Sequence, residues 1–150
     1  MSGPVTLRDA TPLDAGAVGG ILSEVVDVTP WLPRVRSRAE DLAHAGTLID
    51  AGWITLAEVA GQVRGFIARD GEEVHGLYLA PEATGRGFGR ALLDDAKACR
   101  ARLLLWVHAA NAGAQRFYLR EGFREAGRGD GTENDEGLPE IRFVWEEAGA

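Results

Sequence analysis

Residues 79–98, LAPEATGRGFGRALLDDAKA, constrain the fold more than any other part of the chain. Glycines stand at alternate positions, Gly85, Gly87 and Gly89, between an apolar strand-like run and a helix-like run. Glycine lets successive backbone N–H groups converge on one point without a Cβ in the way. A helix that starts there adds unpaired N–H groups and a partial positive charge. The sequence therefore predicts a strand, an anion-binding loop and a helix, in that order.

A phosphate or pyrophosphate is the most natural ligand of such a loop, with Arg86 and Arg90 forming ion pairs at its rim. The dinucleotide-binding pattern G-x-G-x-x-G is not met, because Arg90 stands where the third glycine belongs. The P-loop pattern G-x-x-x-x-G-K-[ST] is absent as well. The ligand therefore belongs to another class of phosphate-bearing cofactor. A plain flexible turn is the structural alternative.

Hydrophobic periodicity and turn residues predict an α+β fold. Thr11, Ser37 and Asn111 are expected helix caps, and Ser37 and Glu40 have the spacing of a capping box. The dipeptides GQ and DG separate three strand-like runs, which predicts an antiparallel meander. The predicted strands are 5–7, 53–60, 63–69, 73–79, 102–108, 123–128 and 141–146. The order β1-α1-α2-β2-β3-β4-α3-β5-α4-β6-β7 gives one domain over residues 1–150.

Two details of packing follow from the same patterns. The run RLLLWVH at 102–108 is strongly apolar, so we expect a strand buried on both faces. Cys99 shares a helical face with Leu92 and Ala96, so we expect a core residue and no nucleophile. His44 and His108 are expected at the surface or in packing only.

Composition narrows the classes of partner. No apolar run reaches the roughly 18 residues of a membrane span, and the N-terminal residues do not have the pattern of a secretion signal. A single cysteine rules out an intrachain disulfide framework and fits a reducing compartment. The net charge of −7 argues against a nucleic-acid partner. We therefore expect a cytoplasmic protein with no nucleic-acid partner, no membrane partner and no metal.

The glycine loop resembles motif A of the GNAT superfamily of N-acetyltransferases, R/Q-x-x-G-x-G/A, which binds the pyrophosphate of acetyl-CoA. The chain departs from that pattern at Thr84, where the family usually has Arg or Gln, so one side-chain contact is weaker or replaced while the backbone cradle is retained. The resemblance implies a cofactor-binding loop made of Thr84, Gly85, Arg86, Gly87, Phe88, Gly89 and Arg90.

The segment NAGAQRFYLREGF is similar to motif B of the same family, N-x-x-A-x-x-F-Y-x-x-x-G-F. The positions in register are Asn111, Ala114, Phe117, Tyr118, Gly122 and Phe123. The resemblance implies that Asn111, Ala114 and Phe117 contact the cofactor and that Tyr118 protonates the leaving thiolate. The structural alternative is that Tyr118 is a residue of the protein core on the apolar face of an amphipathic helix.

The family's sheet implies how the cofactor is held. Its fourth strand splays from its fifth, and the pantetheine arm enters between them. Exposed backbone groups at Leu77, Tyr78 and Leu79 would then hold that arm as an added strand.

Two residues, Glu73 and His75, are the candidates for the proton acceptor. Both share one strand face with Leu77 and Leu79 if no bulge intervenes. Glu73 lies where many relatives keep a catalytic glutamate, and His75 has the better intrinsic pKa for the task. For each of the two, the alternative that it is an ordinary residue on the strand surface is equally open.

Taken together, these features predict an acetyl-CoA-dependent N-acetyltransferase that moves the acetyl group directly from the thioester to an amine of a small molecule or peptide. The acceptor pocket is expected between the Trp31 loop, the second helix and the polar loop at 130–140. The alternatives are a non-catalytic acyl-CoA-binding module and an acyltransferase with a different acyl donor. Homodimerisation is left open.

Overall fold

The computed structural model describes residues 4–148, and their helices and strands follow the predicted order. Short 3₁₀ turns at Pro12–Asp14 and Pro81–Ala83 come before the first and third helices. The strands and helices are β1 Thr6–Asp9, α1 Ala15–Asp27, α2 Arg38–Asp50, β2 Ile54–Val59, β3 Gln62–Asp70, β4 Glu73–Leu79, α3 Phe88–Cys99, β5 Arg102–His108, α4 Ala112–Arg120, β6 Arg124–Gly129 and β7 Glu140–Glu146.

Side-chain caps determine where the helices begin. The Ser37 hydroxyl accepts the Glu40 N–H at 3.1 Å, and the Glu40 carboxylate accepts the Ser37 N–H at 2.9 Å. This reciprocal pair satisfies two unpaired N–H groups, so α2 begins at the next residue, as predicted. The first helix begins later than predicted, because Pro12–Asp14 forms a 3₁₀ turn closed by a bond from the Thr11 N–H to the Asp14 carboxylate.

The seven strands form one sheet in the order β1-β2-β3-β4-β5-β7-β6. Every neighbouring pair is antiparallel except β4 and β5, which are parallel and are connected through α3. The predicted mixed, mostly antiparallel sheet is therefore confirmed. Helices α1 and α2 pack together over one face, and α3 packs on the opposite face against β2 to β5. The apolar core includes residues of both layers, and Phe66, Leu92 and Leu103 are fully buried in it.

The expectation that β5 is buried on both faces is wrong. Leu103, Leu105 and Val107 are buried, whereas Trp106 on the other face is 45% exposed. The reason is that β5 pairs with β7 in a part of the sheet where helices cover only one face. Cys99 is likewise exposed and not in the core, since α3 ends at this residue.

Candidate active site

Strands β4 and β5 separate soon after they meet. Their ladder has two register pairs, Glu73 with Leu104 and Val74 with Leu105. Beyond Val74, β4 continues to Leu79 and β5 to His108 with no further pairing between them. The sheet therefore has a gap in its middle, as the resemblance implied, and the β4 backbone along that gap has no strand partner on this side.

A cavity of about 630 Å³ lies on the α3 side of this gap, and we call it the loop cavity. It contains most of the residues that the two motifs predicted. These are Leu77, Leu79, Thr84, Gly85, Gly87, Gly89, Arg90, Asn111, Ala114, Phe117 and Tyr118. The sequence patterns did not single out three further lining residues, Gly113, Arg120 and Glu121.

The glycine loop has the conformation that its sequence predicts. Gly85 and Gly87 have φ values of +76° and +84°, and a Cβ added at either would meet no atom within 4 Å. Gly87 caps the N-terminus of α3, whose first N–H groups lack intrahelical partners. The side chain of Thr84 is turned toward its own loop, because its hydroxyl donates to the Pro81 carbonyl at 3.1 Å. The open space at the two glycines is suited to an anion.

Three of the predicted cofactor residues have side chains outside the loop cavity. Phe88 is buried in the core, because it is the first apolar position of the inner face of α3. Arg86 lines a separate small cavity with Arg64 and Glu82. Tyr78 lies on the opposite face of the sheet from Leu77, with its ring 5.4 Å from that of Phe66. In the predicted role of cofactor binding, these three residues can contribute backbone contacts only.

Helix α4 carries Tyr118 into the gap. Asn111 caps this helix by accepting the Ala114 N–H at 3.0 Å, which fixes the rotation of the helix next to β5. The Tyr118 ring packs edge-on against Phe117 and Phe123, and the residue is only 7% exposed. Burial raises the pKa of the Tyr118 phenol above its ordinary value, and the Tyr78 phenol raises it further.

Tyr118 also lines a second cavity, of about 340 Å³, on the α1–α2 side of the gap. We call it the histidine cavity, because all three histidines of the chain line it. Its walls include Leu32, Arg36 and His44 from the first half of the chain, and Asp135, Glu136 and Glu140 from the second. The loop after α1, helix α2 and the polar loop near 130–140 therefore meet here, as the sequence predicted for an acceptor pocket.

Most charged groups of the histidine cavity have partners. Asp41 accepts a 2.6 Å bond from the Ser23 hydroxyl and forms ion pairs with Arg34 and Arg36. Burial raises the pKa of Asp41, but the hydrogen bonds of Ser23, Arg34 and Arg36 outweigh it and lower the pKa overall. Asp41 therefore serves as a structural anion that fixes the loop after α1 against α2.

Glu73 does not reach either cavity. Its carboxylate is held by both guanidinium nitrogens of Arg142 at 2.8 Å. A shared face for Glu73, Leu77 and Leu79 is conditional on an unbulged strand. That condition is not met, because a register shift leaves His75 as an extra residue between the pairs Val74–Arg69 and Gly76–Ala68. Such a bulge reverses the alternation of faces in the remainder of the strand.

His75, in the bulge, is exposed and stacks on the Trp53 ring, with centroids 4.6 Å apart and an interplanar angle of 10°. It lines the histidine cavity, so the structure brings this candidate to the site. His44 and His108 also line it, although the sequence offered them only a packing role. A signal for His108 was present, since the residue ends the strand that borders the gap and follows Trp106 at the spacing of one strand face.

Comparisons with known proteins identify the family of the chain. Residues 50–125 match the Acetyltransferase (GNAT) domain family. The peptidyl-lysine N-acetyltransferase YjaB of Escherichia coli is 30% identical over 95 residues, which are 63% of this chain and 64% of that protein. The 5-NmdU N-acetyltransferase of Pseudomonas phage PaMx11 is 39% identical over 90 residues, 55% and 64% of the two chains. The aligned part thus spans less than two thirds of the length of these relatives.

Solved structures show the same fold at lower sequence identity. The solution structure of apo YjaB from Escherichia coli superposes with a TM-score of 0.81 at 22% identity, covering 97% of this chain and 100% of that one. The structure of yncA from Salmonella typhimurium with its cofactor acetyl-CoA gives a TM-score of 0.72 at 23% identity, covering 96% and 94%. The chain belongs to the GNAT acetyltransferase family. Within residues 4–148, no helix has the length and apolar character needed to cross a membrane.

Proposed function

We propose that this protein is an acetyl-CoA-dependent N-acetyltransferase that moves the acetyl group directly from the thioester to an amine. One observation carries the proposal. The loop cavity and the histidine cavity lie on opposite sides of the sheet, and Tyr118 lines both of them in the gap between β4 and β5. A donor on one side and an acceptor on the other would therefore meet beside one phenol hydroxyl.

The loop cavity fits acetyl-CoA through this chain's own groups. The positive-φ glycines Gly85 and Gly87 and the start of α3 present N–H groups to a pyrophosphate, with Arg90 at the cavity wall. The unpaired edge of β4 offers backbone groups to an extended pantetheine arm. When bound, the cofactor supplies an activated acetyl thioester.

The acceptor must arrive neutral or become neutral before it can attack. An amine with a pKa of about 10.4 is neutral in about one part in 2,500 at pH 7, a cost of about 4.6 kcal/mol. The histidine cavity offers titratable side chains to offset part of that cost, whereas Glu73 is held by Arg142 outside it. The proposed proton acceptor is therefore a histidine of this cavity, and His75 is the histidine that the sequence offered as a candidate beside Glu73.

Tyr118 is the proposed general acid. Because burial raises the pKa of the Tyr118 phenol, the hydroxyl stays protonated at neutral pH and is ready to donate. The same shift makes full proton transfer to a thiolate, with a pKa of about 8.5, more costly than the roughly 2 kcal/mol expected for an ordinary phenol. Tyr118 therefore acts first as a hydrogen-bond donor to the leaving sulfur and releases its proton late.

Charge in the histidine cavity favours a cationic acceptor. The carboxylates of Asp135, Glu136 and Glu140 outnumber the one arginine, Arg36, that lines it. Amines of small molecules and of peptide side chains both meet this requirement, and two relatives are named for a peptidyl lysine and for 5-NmdU. A cytoplasmic location is proposed from the lone cysteine, which fits a reducing compartment.

Two measurements test the proposed function. Calorimetry with acetyl-CoA measures binding, and thiol release over a panel of small amines and lysine-containing peptides measures transfer. We expect binding together with thiol release that depends on one class of amine. Binding without release on the whole panel would identify a non-catalytic acyl-CoA-binding module. Faster release from a longer acyl-CoA would correct the donor while keeping the reaction type.

A further inference from the structure

The three histidines of the chain come from separate elements but face one cavity. His44 lies on α2, His75 in the bulge of β4, and His108 at the end of β5. In the part of the chain that the structure describes, no group of His, Cys, Asp and Glu side chains is placed to hold a metal ion. An imidazole titrates near neutral pH, so each of the three histidines is a candidate acceptor of protons.

His108 has surroundings that the other two lack. Its Nε2 atom lies 3.7 Å from Oε1 of Glu136, which is too long for a hydrogen bond but within ion-pair distance. Its Nδ1 atom is buried and has no hydrogen-bond partner among residues 4–148. The edge of the ring packs against Trp31, with centroids 5.5 Å apart. The contact with Trp31 thus holds the ring in place, and Nε2 is the ring nitrogen that faces a carboxylate.

We propose that His108, with Glu136 facing its Nε2 atom, accepts the proton of the acceptor amine. This inference rests on the proposed N-acetyltransferase function and goes beyond it by naming the residue. It is supported by placement, because His108 ends the strand that borders the gap and lines the same cavity as Tyr118. A base there lies on the acceptor side of the sheet.

The rival histidines are less suited to the task. His75 stacks face to face on Trp53, and no carboxylate of residues 4–148 lies within ion-pair distance of it. Burial lowers the pKa of His44, and the charge of Arg36 lowers it further, which makes His44 a weaker base. In contrast, the side chains of His108 and Glu136 are only 23% and 22% exposed and lie within ion-pair distance of each other.

Other charged and titratable groups surround His108. Glu140 is its register partner on β7, and Arg36 lies in the loop before α2. The further groups that line the cavity are Asp41, His44, His75, Tyr78, Tyr118 and Asp135. None of these groups forms an ion pair with His108, whose one ion-pair partner in the described part of the chain is Glu136.

The proposed step balances in atoms and charge. The amine nitrogen forms a bond to the acetyl carbon while the carbon–sulfur bond breaks. The nitrogen loses one proton to Nε2 of His108, and the departing sulfur gains one proton from Tyr118. The imidazolium then gives its proton to water, and the phenolate regains one. The net products are an amide and a free thiol.

Kinetics over pH test the role of His108 directly. A base that must be unprotonated to act gives an acidic limb in kcat/KM. We expect His108→Gln to lower kcat by about 10²-fold and to remove that limb, with an unchanged acetyl-CoA Kd and Tm. Glu136→Gln, which removes the charge of a side chain that is 22% exposed, serves as the second variant, and we expect a smaller loss in kcat with KM for acetyl-CoA unchanged.

The outcomes separate this role from the proposed function. Wild-type protein that binds acetyl-CoA and acetylates no amine would overturn both. An active wild type with His108→Gln within about threefold of it at every pH would overturn the role of His108 alone. Removal of the acidic limb by His75→Gln, and not by His108→Gln, would also overturn that role and assign it to His75.

A readout besides activity is the NMR signal of the imidazole rings. The chain has three histidines, so three ring signals can be assigned from single substitutions. We expect the His108 signal to shift when the acceptor amine is added to protein without acetyl-CoA. A shift confined to the other two signals would contradict the proposal.

Discussion

At the scale of single residues, Tyr118 is the proposed general acid and lines both the loop cavity and the histidine cavity. The ring is packed by Phe117 and Phe123, so its position depends on the aromatic core and not on its hydroxyl. The hydroxyl is therefore separable from the fold, which makes Tyr118 the clearest residue for substitution.

Tyr118→Phe should leave packing and acetyl-CoA affinity nearly unchanged, because it removes one oxygen and keeps the ring. If the hydroxyl assists the leaving sulfur, kcat and kcat/KM fall together by about 10²–10⁴-fold, which is about 3–5 kcal/mol. Steady-state kinetics with the best amine measure this, with Tm and calorimetry as controls. A kcat close to that of the wild type, with pre-steady-state turnover also unchanged, would leave Tyr118 a structural residue.

Thr84 is the residue where the loop departs from its family. It is exposed and bonds only to the Pro81 carbonyl of its own loop, so a longer side chain has room at the mouth of the loop cavity. We expect Thr84→Arg to keep or tighten the acetyl-CoA Kd, by up to about tenfold, through a charge-assisted bond. Thr84→Met, of similar length without charge, is the matched control. A tenfold or greater loss in Thr84→Arg would mean that Thr84 itself is required.

At the scale of elements, the strand–loop–helix unit β4–α3 depends on glycine at one position above all. Gly87 has a φ of +84° at the start of α3, where the space beside it is open. A side chain there is strained by about 1–2 kcal/mol and would occupy the place proposed for the anion.

Gly87→Val should therefore abolish acetyl-CoA binding in a protein that still folds, as measured by calorimetry. Gly52→Val is the matched control, since Gly52 has a φ of +78°, open space around it, and no part in either cavity. Both variants should lose similar Tm, and only the first should lose binding. Normal affinity in Gly87→Val would place the pyrophosphate elsewhere.

Most elements could be predicted from the sequence because their signals are local. The capping box at Ser37, the cap at Asn111 and the glycine loop specify helix starts without reference to the rest of the fold. The alternation of buried and exposed residues in β5 could not be predicted, because a continuous apolar run has no period. Only the helices that cover the sheet decide which face of this strand is buried.

The site was predictable on the cofactor side and much less so on the acceptor side. Motif residues such as Asn111 and Phe117 are close together in sequence, because Asn111 caps helix α4 and Phe117 lies within it. This helix forms one wall of the loop cavity. The histidine cavity instead gathers isolated residues from distant segments, so nothing local links His44 to His108. The bulge at His75 likewise depends on the pairing of β4 with β3, and this displaced Glu73 from its predicted face.

At the scale of the whole molecule, the placement of the two cavities predicts the kinetic order. In the proposed function, donor and acceptor occupy the two cavities on opposite sides of the sheet and meet in the gap, and Cys99 lies at the exposed end of α3, outside both cavities. Both substrates must be bound together for transfer, so initial-rate plots should give intersecting lines. Parallel lines, or an acetylated protein isolated after incubation with acetyl-CoA alone, would indicate a covalent intermediate.

The short β4–β5 ladder also determines how the molecule comes apart. It joins two half-sheets, one of strands β1 to β4 and one of β5 to β7, through only two register pairs. A ligand in the loop cavity contacts Leu77 and Leu79 of the first half and Asn111 and Phe117, which belong to the second. Such a ligand links the halves across their weakest junction. Amide hydrogen exchange should therefore slow most along the edges of β4 and β5 when acetyl-CoA is added, so the cofactor acts as a structural crosslink as well as a reactant.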